Sequence, residues 1–463
     1  MPFTRRTFLL GAGTGMSLLV LAACTGPEPE PTLTPVPPTP QESVPEPSRL
    51  WRSDWTTDPL SRGAVSYMPV GSNPEHRAAL QAPLGDRVFF AGEATSASPG
   101  TVRGAIQSGA RAARQVIDAM GDGERVAIIG AGAAGAEAAR ALTARGVDVI
   151  VLEARDRVGG RIDSRADDDG GFFELGAWKL EVDDDESLIA DLDAVALEGS
   201  IAVPISEELA RATLTDLAVA QQGMSAQLTT WALEQSTADV DLESGLSDSG
   251  LSAAGATVGD IPAATVVLSF AEAARIATGA DPTDISTWFP PTAIGEASAL
   301  PTGQLSSAVS TRLDDIPVAL STAVTAVAYD DDGISLRLSS GESRSVDRVI
   351  ITVPLGVLKA EAIEFDPPLP LAMRSAISAV GFGRLEVVRV AFDEPFWDTD
   401  AAVWSLLGGD AEITTWINLQ PLTGQSALLG IAAGDAAAAL AELDDAALSQ
   451  TVRRLLTPFA AQS

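Results

Sequence analysis

The feature that most constrains this chain is the stretch VAIIGAGAAGAEAAR, where glycines join an apolar run to a run of small residues. Gly130, Gly132 and Gly135 have the spacing G-x-G-x-x-G between a predicted strand and a predicted helix that begins near Ala133. The first glycine permits a tight turn, the second lets the backbone approach a pyrophosphate, and the third lets helix and strand pack closely. The helix N-terminus also attracts phosphate charge. The motif therefore predicts a Rossmann-like nucleotide-binding unit.

An acidic residue supports this reading. Glu153 ends the next apolar run, VDVIVLE, where a carboxylate can bond the ribose hydroxyls of an adenine dinucleotide. It favours an adenosine without a 2′-phosphate, so NADP is the less suitable ligand. The run from Asp86 to Glu153 alternates predicted strands with predicted helices joined by short connections, and GDG stops the first helix. This pattern indicates an α/β domain with a parallel sheet.

Composition excludes several classes of function. The chain has 463 residues, enough for two domains, and a formal net charge of −33, which argues against binding nucleic acid through a basic surface. It contains one histidine, His76, and one cysteine, Cys24. This pair cannot build a zinc or iron–sulfur site, an internal disulfide or a Cys–His nucleophile. We expect no metal, and any redox chemistry must come from a bound cofactor.

The first residues predict export. TRRTFLL carries paired arginines, an apolar run follows, and LAAC ends at Cys24, which resembles a twin-arginine signal with a lipoprotein cleavage box. The alternative is a buried or membrane-spanning helix, but the apolar core is short for a span and contains three glycines. We therefore expect an exported cell-envelope lipoprotein on the extracytoplasmic face, touching the membrane only through lipidated Cys24. The Pro-rich stretch that follows predicts an extended spacer.

The segments after Glu153 carry a family resemblance. EARDRVGGRIDS and FELGAW follow the glycine motif, and together they resemble the N-terminal signature of the flavin-containing amine oxidases, the group that includes monoamine and polyamine oxidases. WTTDPLSRGAVSY, FFAGEATSASPGTVRGA, VDRVIITVPLGVLKA and GFGRLEVVRVAFDEPFW also look like this family. The resemblance covers most of the chain from about Trp51 and is faintest between Asp183 and Leu300.

The resemblance implies a two-domain α/β fold, with a Rossmann-like FAD-binding domain and a mixed α+β substrate domain. We expect a signal at residues 1–24, a Pro-rich linker at 25–50, a substrate-side segment leading to the flavin at 51–80, the FAD-binding domain at 81–180, a largely helical region of the substrate domain at 181–298, a return to the FAD-binding domain at 299–360, and the rest of the substrate domain at 361–463.

The order of the segments differs from the family's. There, the W…DP…SY and AGE…GA segments lie at the C-terminal end, whereas here they precede GAGAAG. The chain therefore resembles a circular permutant, in which the old last helix is joined to the old first strand through Gly121–Glu124. Permutation of this kind is tolerated because domain termini often lie close together at the surface. The alternative is an error in the assembled gene.

By resemblance, FAD is bound without a covalent link. The residues expected to bind it are Gly130, Gly132, Ala133, Gly135, Glu153, Ala154, Arg155, Gly160, Arg161, Gly176, Ala177, Trp178, Val324, Gly92, Glu93, Thr101 and Val102. The implied reaction oxidises the C–N bond of a small amine by hydride transfer to the flavin, with O2 as acceptor and H2O2 as product. The cofactor does the redox chemistry and the protein positions the substrate.

Two family features are missing. Val387 occupies the position of the lysine that holds a water near the flavin, and Val65 replaces a tyrosine of the substrate cage. Of the two lysines in the chain, Lys179 lies beside Trp178 near the expected flavin, so we name both as candidate catalytic residues; Lys359 is expected to be solvated. The partner cage position is taken by Thr101.

These departures leave two alternatives open. One is an FAD-dependent oxidase or desaturase acting on a non-amine substrate, for which a pocket without the cage would suit. The other is a surface lipoprotein that binds FAD without catalysis. The acidic runs at 167–169, 183–185 and 330–332 are predicted to be solvated turns, since none has the ligand spacing of a calcium loop.

Overall fold

The computed structural model describes residues 44–460, except for short gaps at 168–169, 182–193, 198–199, 205–213, 236–237, 252, 254–255, 259–260, 292–297 and 409–410. All described residues belong to one compact unit, Pro40–Ser463. The predicted signal, Cys24, most of the spacer and the acidic run at 183–185 lie outside the described residues. None of the described helices combines the length and apolar character needed to cross a membrane.

The described residues form twelve α-helices. They are α1 Pro74–Leu80, α2 Val102–Ala119, α3 Ala133–Thr143, α4 Leu214–Glu234, α5 Leu242–Asp248, α6 Ala263–Thr278, α7 Leu305–Arg312, α8 Leu355–Lys359, α9 Leu371–Ala379, α10 Gln420–Thr423, α11 Gly434–Ala441 and α12 Asp445–Leu456. The helical stretch near the C-terminus is divided into α11 and α12, because Asp444 caps the second helix by accepting a hydrogen bond from the Ala447 N–H.

The strands of the described residues number twenty-four. They are β1 Arg49–Arg52, β2 Val65–Tyr67, β3 Val88–Phe90, β4 Arg125–Ile129, β5 Asp148–Leu152, β6 Ser164–Ala166, β7 Phe172–Glu174, β8 Leu180–Glu181, β9 Ala194–Ala196, β10 Ser200–Pro204, β11 Thr257–Val258, β12 Ile261–Pro262, β13 Ser298–Pro301, β14 Val318–Ala319, β15 Val324–Tyr329, β16 Ile334–Leu338, β17 Ser343–Val346, β18 Arg348–Ile351, β19 Glu364–Asp366, β20 Gly381–Gly383, β21 Leu385–Ala391, β22 Val403–Leu407, β23 Thr415–Asn418 and β24 Ala427–Ala433.

A parallel sheet forms the nucleotide-binding half. Its strand order is β14-β5-β4-β18-β3, and Ile129 pairs with both Leu152 and Ile351. Side chains alternate between its faces: Ile128 packs in a core with α2, α3 and α7, while Ile129 packs in a core with the small sheet β17-β16-β15-β19. Both faces are therefore covered, which explains why these strands are almost entirely apolar.

A second, six-stranded sheet forms the other half. Its order is β1-β21-β24-β23-β22-β10; every pair is antiparallel except β10–β22, which is parallel. One face packs in a core with α11 and α12, and the other contributes Val387 and Ile431 to a cluster with Phe173 and Leu175. The second cluster joins this sheet to the segment after β7, which lies at the border with the nucleotide-binding half.

In the part of the region 181–298 that the structure describes, strands accompany the predicted helices. This part contains α4, α5 and α6, whose apolar faces share one core, but also β9 and β10, of which β10 extends the six-stranded sheet. The difference has a physical reason: strands of three to five residues rich in Ala and Val show no period that separates them from a buried helix. Their distant sheet partners, β13 for β9 and β22 for β10, determine the conformation.

A buried arginine closes the connection between α2 and β4. The Arg348 guanidinium, on strand β18 next to β4, forms an ion pair with Glu124 and donates a hydrogen bond of 2.7 Å to the Ala119 carbonyl. The next residue, Arg125, donates its N–H to Asp347 at 2.7 Å. The short turn between α2 and β4 is therefore held from both ends: Arg348 bonds Ala119 and Glu124, and Asp347 bonds Arg125.

Candidate active site

One large cavity of about 890 Å³ lies at the carboxyl ends of the parallel strands. Its wall includes the residues that follow β3, β4, β5 and β18, which is where an open α/β sheet binds ligands. The wall continues past Ala177 to Leu385 of the six-stranded sheet and to Ser225 and Thr229 of α4. The helical region thus contributes directly to the site, and the volume falls within the roughly 300–1,000 Å³ of typical cofactor and ligand pockets.

The glycine motif forms the turn expected for a pyrophosphate. Gly130 has φ +109°, and a Cβ there would lie 2.5 Å from the Thr352 hydroxyl oxygen. Gly132 is the N-cap of α3 and lies against the turn of Gly160, whose added Cβ would be 3.3 Å from the Gly132 Cα. Gly135 is a packing residue, since a Cβ there would lie 2.0 Å from the Gly130 carbonyl oxygen. The residues in this turn fit a phosphate at the start of α3.

Glu153 lies beside this turn. Its carboxylate lines the cavity, accepting hydrogen bonds from the Ala131 N–H at 2.7 Å and from the Arg155 N–H at 2.8 Å. These bonds fix a buried negative charge between the glycine turn and the segment after β5, with Ala154 in the same wall. The placement suits the ribose contact predicted for Glu153.

Arg155 connects the nucleotide-binding half to the segment before β2. Its guanidinium forms an ion pair with Asp58 and donates to the Ser61 hydroxyl at 3.0 Å. Burial alone would raise the pKa of Asp58, but the hydrogen bond and charge of Arg155, together with the Leu60 N–H, lower it below the ordinary value. The Arg155 guanidinium also lies 5.9 Å from the Trp55 ring centroid.

Glu93 is the centre of a polar cluster behind β2. One carboxylate oxygen accepts hydrogen bonds from the Ser66 N–H at 2.9 Å, the Ser66 hydroxyl at 2.7 Å and the Gly100 N–H at 2.9 Å. The other lies 3.4 Å from an Arg161 nitrogen. Gly92, with φ +123°, makes the turn that directs Glu93 into the cavity wall. Two residues that were each predicted to bind the cofactor, Glu93 and Arg161, are thus in contact with each other.

Further predicted cofactor residues also line the cavity. Thr101 caps α2 by accepting a hydrogen bond from the Gly104 N–H at 2.9 Å, and Val102 begins that helix. Val324 begins β15 and lines the same wall. Gly176 cannot carry a side chain, because a Cβ there would lie 1.8 Å from the Arg161 carbonyl oxygen. The motifs therefore converge on one cavity from distant parts of the chain, with Gly135 packed beside it.

The two candidate catalytic residues lie in this wall as well. Trp178 is 9% exposed, and the Lys179 Nζ lies 5.8 Å from its ring centroid. Lys359, in contrast, is exposed and donates to the Ser378 carbonyl at 3.0 Å. Of the two lysines in the chain, Lys179 alone is in a position to act on a ligand in the cavity.

Val387 and Val65, the positions at which the chain departs from the family, have different surroundings. Val387 is fully buried in the apolar cluster with Phe173 and Leu175. Val65 lines the cavity, and so does Tyr67, which lies two residues further along β2 and so faces the same side.

Sequence reasoning missed several residues of the wall. Tyr67, Arg77, Ser225, Thr229, Trp288 and Phe289 all line the cavity. Tyr67 could have been found as the next residue on the cavity side of β2. Ser225, Thr229, Trp288 and Phe289 carry no signal, because they belong to the part of the chain where the resemblance is faintest. Arg77 lies outside that part, on a short helix whose sequence shows no motif. Trp288 is 41% exposed and therefore stands at the edge of the cavity.

Among the described residues, there is no group of three or more His, Cys, Asp or Glu side chains that could hold a metal ion. Asp330 accepts hydrogen bonds from the N–H groups of Asp332 and Gly333, which places this acidic run at the turn between β15 and β16. The run at 167–169 is described only at Asp167, whose carboxylate forms an ion pair with the buried Arg389 rather than standing in solvent.

The donor set fits FAD. A glycine turn at a helix N-terminus can take the pyrophosphate, the Glu153 carboxylate can take ribose hydroxyls, and the cavity extends beyond both toward Trp178. Arg77 also lines the cavity and adds a third guanidinium to its wall, beside Arg155 and Arg161. The residues present therefore suit a long ligand with anionic and hydroxyl groups.

Sequence comparisons identify related families and proteins. Residues 32–117 and 286–461, more than half of the chain, match the profile of the flavin containing amine oxidoreductases, and residues 128–192 match an NAD(P)-binding Rossmann-like domain. Polyamine oxidase 4 of Oryza sativa subsp. japonica is 29% identical over 352 residues, which cover 69% of each chain. Histone demethylase-like protein A of Aspergillus fumigatus is 35% identical over 164 residues, which cover 31% of this chain but only 15% of that protein.

Solved structures give the fold. Cyclohexylamine oxidase from Brevibacterium oxydans aligns with a TM-score of 0.57 at 18% identity, covering 73% of this chain and 81% of that one. Putrescine oxidase bound to putrescine aligns with a TM-score of 0.52 at 21% identity, covering 73% and 82%. These likenesses confirm the predicted two-domain α/β architecture with a Rossmann-like domain.

Proposed function

Because the chain belongs to the family of flavin-containing amine oxidoreductases, we propose that it oxidises the C–N bond of a small amine at bound FAD, with O2 as acceptor and H2O2 as product. The family confirms the predicted cofactor and the predicted enzyme class. The observation that carries the proposal is the single cavity that joins the glycine turn and Glu153 to Trp178 and Lys179.

The chain's own residues divide the work along this cavity. The glycine turn and the start of α3 would hold the phosphates of FAD, and Glu153 would hold a ribose; all of them line the cavity except the packing residue Gly135. Arg155, fixed by Asp58, and Arg161, fixed by Glu93, place positive charge in the wall between the two ends. When bound, FAD supplies the two-electron acceptor that no side chain of this protein can provide.

The cavity also suits an amine with an apolar body. Trp178, Tyr67 and Phe289 provide aromatic surface in its wall, and Val65 leaves more room than a tyrosine would. In the family a lysine stands at the position of Val387. Here Lys179 takes over its role and holds a proton-accepting group or a water beside the substrate. An aromatic wall also orients a substrate amine, which lowers the entropic cost of reaching the reactive geometry.

We further propose that the chain is a circular permutant of the family fold. The segments around Gly92 and Glu93 precede the glycine turn in the chain, yet the two lie in one wall. Arg348 closes the turn between α2 and β4 through Ala119 and Glu124, as a native connection would require. These contacts weigh against an error in the assembled gene.

The described ends of the chain support the same interpretation. Ser449 on α12 donates a hydrogen bond of 2.9 Å to Glu46, and Arg453 donates one of 2.9 Å to the Val44 carbonyl. The last long helix, α12, therefore packs against the first described residues. In the family's order of segments, the chain would run from this helix directly into those residues. Reopening the chain at Gly121–Glu124 and joining these ends should give a protein that still binds FAD.

The export proposal rests on the sequence alone. TRRTFLL and LAAC predict a twin-arginine lipoprotein with its lipid on Cys24, and therefore a place on the extracytoplasmic face of the membrane. Mass spectrometry of the N-terminal peptide of the protein recovered from its membrane fraction tests this. A peptide that begins at diacylated Cys24 supports it, and an unmodified Cys24 within a longer peptide contradicts it.

Oxygen uptake tests the proposed reaction. Protein without residues 1–24 is mixed in air with monoamines, diamines, polyamines and amino acids, and O2 uptake and H2O2 release are followed together. Equal uptake and release with one amine class support the proposal. Lys179→Met should then lower turnover, while the matched Lys359→Met should leave it unchanged, since Lys359 bonds a surface carbonyl away from the cavity.

The two alternatives give different results. A protein whose flavin is reduced only by non-amine substrates would be an oxidase or desaturase of another class, which the absent lysine and cage tyrosine would suit. A protein whose flavin is reduced by dithionite but by none of the candidate substrates would be the FAD-binding lipoprotein without catalysis. Both results would contradict amine oxidation.

A further inference from the structure

A threonine from another strand lies against the glycine turn. Thr352 follows β18, the neighbour of β4 in the parallel sheet, and stands 222 residues after Gly130 in the chain. An added Cβ on Gly130 would lie 2.5 Å from the Thr352 hydroxyl oxygen, and one on Gly135 would lie 3.1 Å from it. These two glycines of the motif therefore leave the space that the Thr352 side chain fills.

The Thr352 hydroxyl bonds two successive carbonyls of the turn. It donates to the Ile129 carbonyl at 2.9 Å and to the Gly130 carbonyl at 3.3 Å, so one hydrogen is shared between the two oxygens. The backbone between these carbonyls has φ +109° at Gly130, a conformation that favours glycine. One side chain outside the motif thus contacts the turn at its most unusual point.

The peptide between Gly130 and Ala131 is held at both of its polar ends. Thr352 bonds its carbonyl, and the Glu153 carboxylate accepts its N–H at 2.7 Å. The two side chains come from the segments that follow β18 and β5, the strands on either side of β4. This peptide therefore cannot rotate without losing two hydrogen bonds, one of them to a buried carboxylate.

The orientation of this peptide matters for a bound phosphate. A helix N-terminus binds an anion through backbone N–H groups that point at it, and a carbonyl oxygen turned the same way would repel the anion. The chain runs from this peptide directly into α3, whose N-cap is Gly132. A fixed Gly130–Ala131 peptide therefore keeps the start of α3 in a conformation that can receive a phosphate.

We propose that Thr352 is a positioning residue of the cofactor site, whose hydroxyl holds the glycine turn in the conformation that binds the pyrophosphate of FAD. The inference rests on the FAD binding of the proposed function, but not on the identity of the amine. Its effect passes through the Gly130 carbonyl, so it requires no contact between Thr352 and the phosphates.

The test compares dissociation constants for FAD, measured by titrating protein from which the flavin has been removed. Thr352→Ala deletes the hydroxyl without adding bulk and should weaken FAD binding about tenfold. Thr352→Ser keeps the hydroxyl and should stay within about threefold of the wild type. Competition by ADP and by adenosine locates the effect: ADP should lose the same factor as FAD, while adenosine, which has no phosphate, should bind variant and wild type alike.

Thr457→Ala is the matched control. Thr457 is half-buried like Thr352, and its hydroxyl donates to the Arg453 carbonyl at 2.9 Å, at the end of α12 and outside the cavity wall. Both alanine variants should lose thermal stability, because each removes a hydrogen bond to a backbone carbonyl. Only Thr352→Ala should change the affinities for FAD and ADP.

The outcomes are distinct. A wild-type FAD affinity in Thr352→Ala would show that the hydroxyl does not hold the turn, and the inference would be wrong. An equal loss for ADP and adenosine would also contradict it, because such a loss indicates a general loosening of the site. Should Thr352→Ala not fold, Thr352→Val removes the same hydroxyl and is judged by the same criteria. A wild-type protein that binds no FAD would instead contradict the proposed function, whereas the ADP affinity of Thr352→Ala would still decide the role of Thr352.

Discussion

The buried carboxylate of Glu386 holds the backbone of Trp55. It accepts hydrogen bonds from the Trp55 N–H at 3.2 Å, the Thr56 N–H at 2.8 Å and the Ser53 hydroxyl. Trp55 in turn donates its indole N–H to the Leu175 carbonyl at 2.8 Å, next to Gly176. Glu386, the neighbour of Val387 on β21, thus helps to hold together the segments 53–58 and 175–178 beside the cavity.

Removal of this carboxylate should affect both stability and cofactor binding. Glu386→Ala leaves three donors unpaired in the interior, so the free energy of unfolding should fall by about 3 kcal/mol. The loosened Trp55 segment should also release FAD faster. Urea unfolding and the rate of FAD loss measure the two effects. Glu342→Ala, at an exposed turn, should change neither, and equal effects in both variants would refute the role of Glu386.

Gly130→Ala should impair FAD binding more than folding. The residue has φ +109°, and a Cβ would lie 2.5 Å from the Thr352 hydroxyl, so the turn that faces the phosphates must move. We expect FAD to bind at least about tenfold more weakly. Gly123→Ala is the control, because Gly123 has φ +77° but open space around it. Because of backbone strain, Gly123→Ala should lower the free energy of unfolding by about 1–3 kcal/mol, but it should leave the FAD affinity unchanged.

Glu174 should make stability depend on pH. Burial raises its pKa to about 7, partly offset by hydrogen bonds from the Ser164 hydroxyl and the Leu305 N–H. The folded protein thus keeps a proton that the unfolded chain loses near pH 4.5, the ordinary pKa of Glu. This contribution to the free energy of unfolding is fully present below about pH 4.5 and declines until about pH 7.

The variant Glu174→Gln isolates this effect. The amide stays neutral at every pH, whereas the wild type should lose about 3 kcal/mol of unfolding free energy between pH 4.5 and 7. The stability of the variant relative to the wild type should therefore rise by that amount over this pH range. Denaturant unfolding at several pH values measures it. A difference that does not change with pH would show that Glu174 titrates normally. The exposed Glu342→Gln serves as the control.

The junction of α2 and β4 should depend on Arg348 and Glu124 together. Arg348 is 4% exposed, so Arg348→Met should lower the free energy of unfolding by about 3 kcal/mol, because it leaves Glu124 and the Ala119 carbonyl without their partner. A double-mutant cycle with Glu124→Gln should give a coupling energy of about 1 kcal/mol or more. Additive effects would mean that the pair does not hold the connection.

Much of the nucleotide-binding half could be predicted from the sequence, because local rules act there. Gly130 and Gly135 are needed for a turn and a close contact between neighbouring elements, and the apolar runs of β4 and β5 are buried on both faces. The substrate end could not be predicted in this way. Thr229 and Phe289 reach the cavity only through tertiary packing, and β10 is a strand because β22 pairs with it. Arg77 lies on a helix of seven residues whose pattern gives no sign of a buried guanidinium.

Anaerobic reduction of the flavin tests the central claim most directly. The protein without residues 1–24 is mixed under argon with single amines, and the visible absorbance of its flavin is followed. The account predicts that one amine class bleaches the flavin within the time of turnover and that air restores the absorbance. A flavin that stays oxidised with every amine, yet is bleached by dithionite, would contradict it.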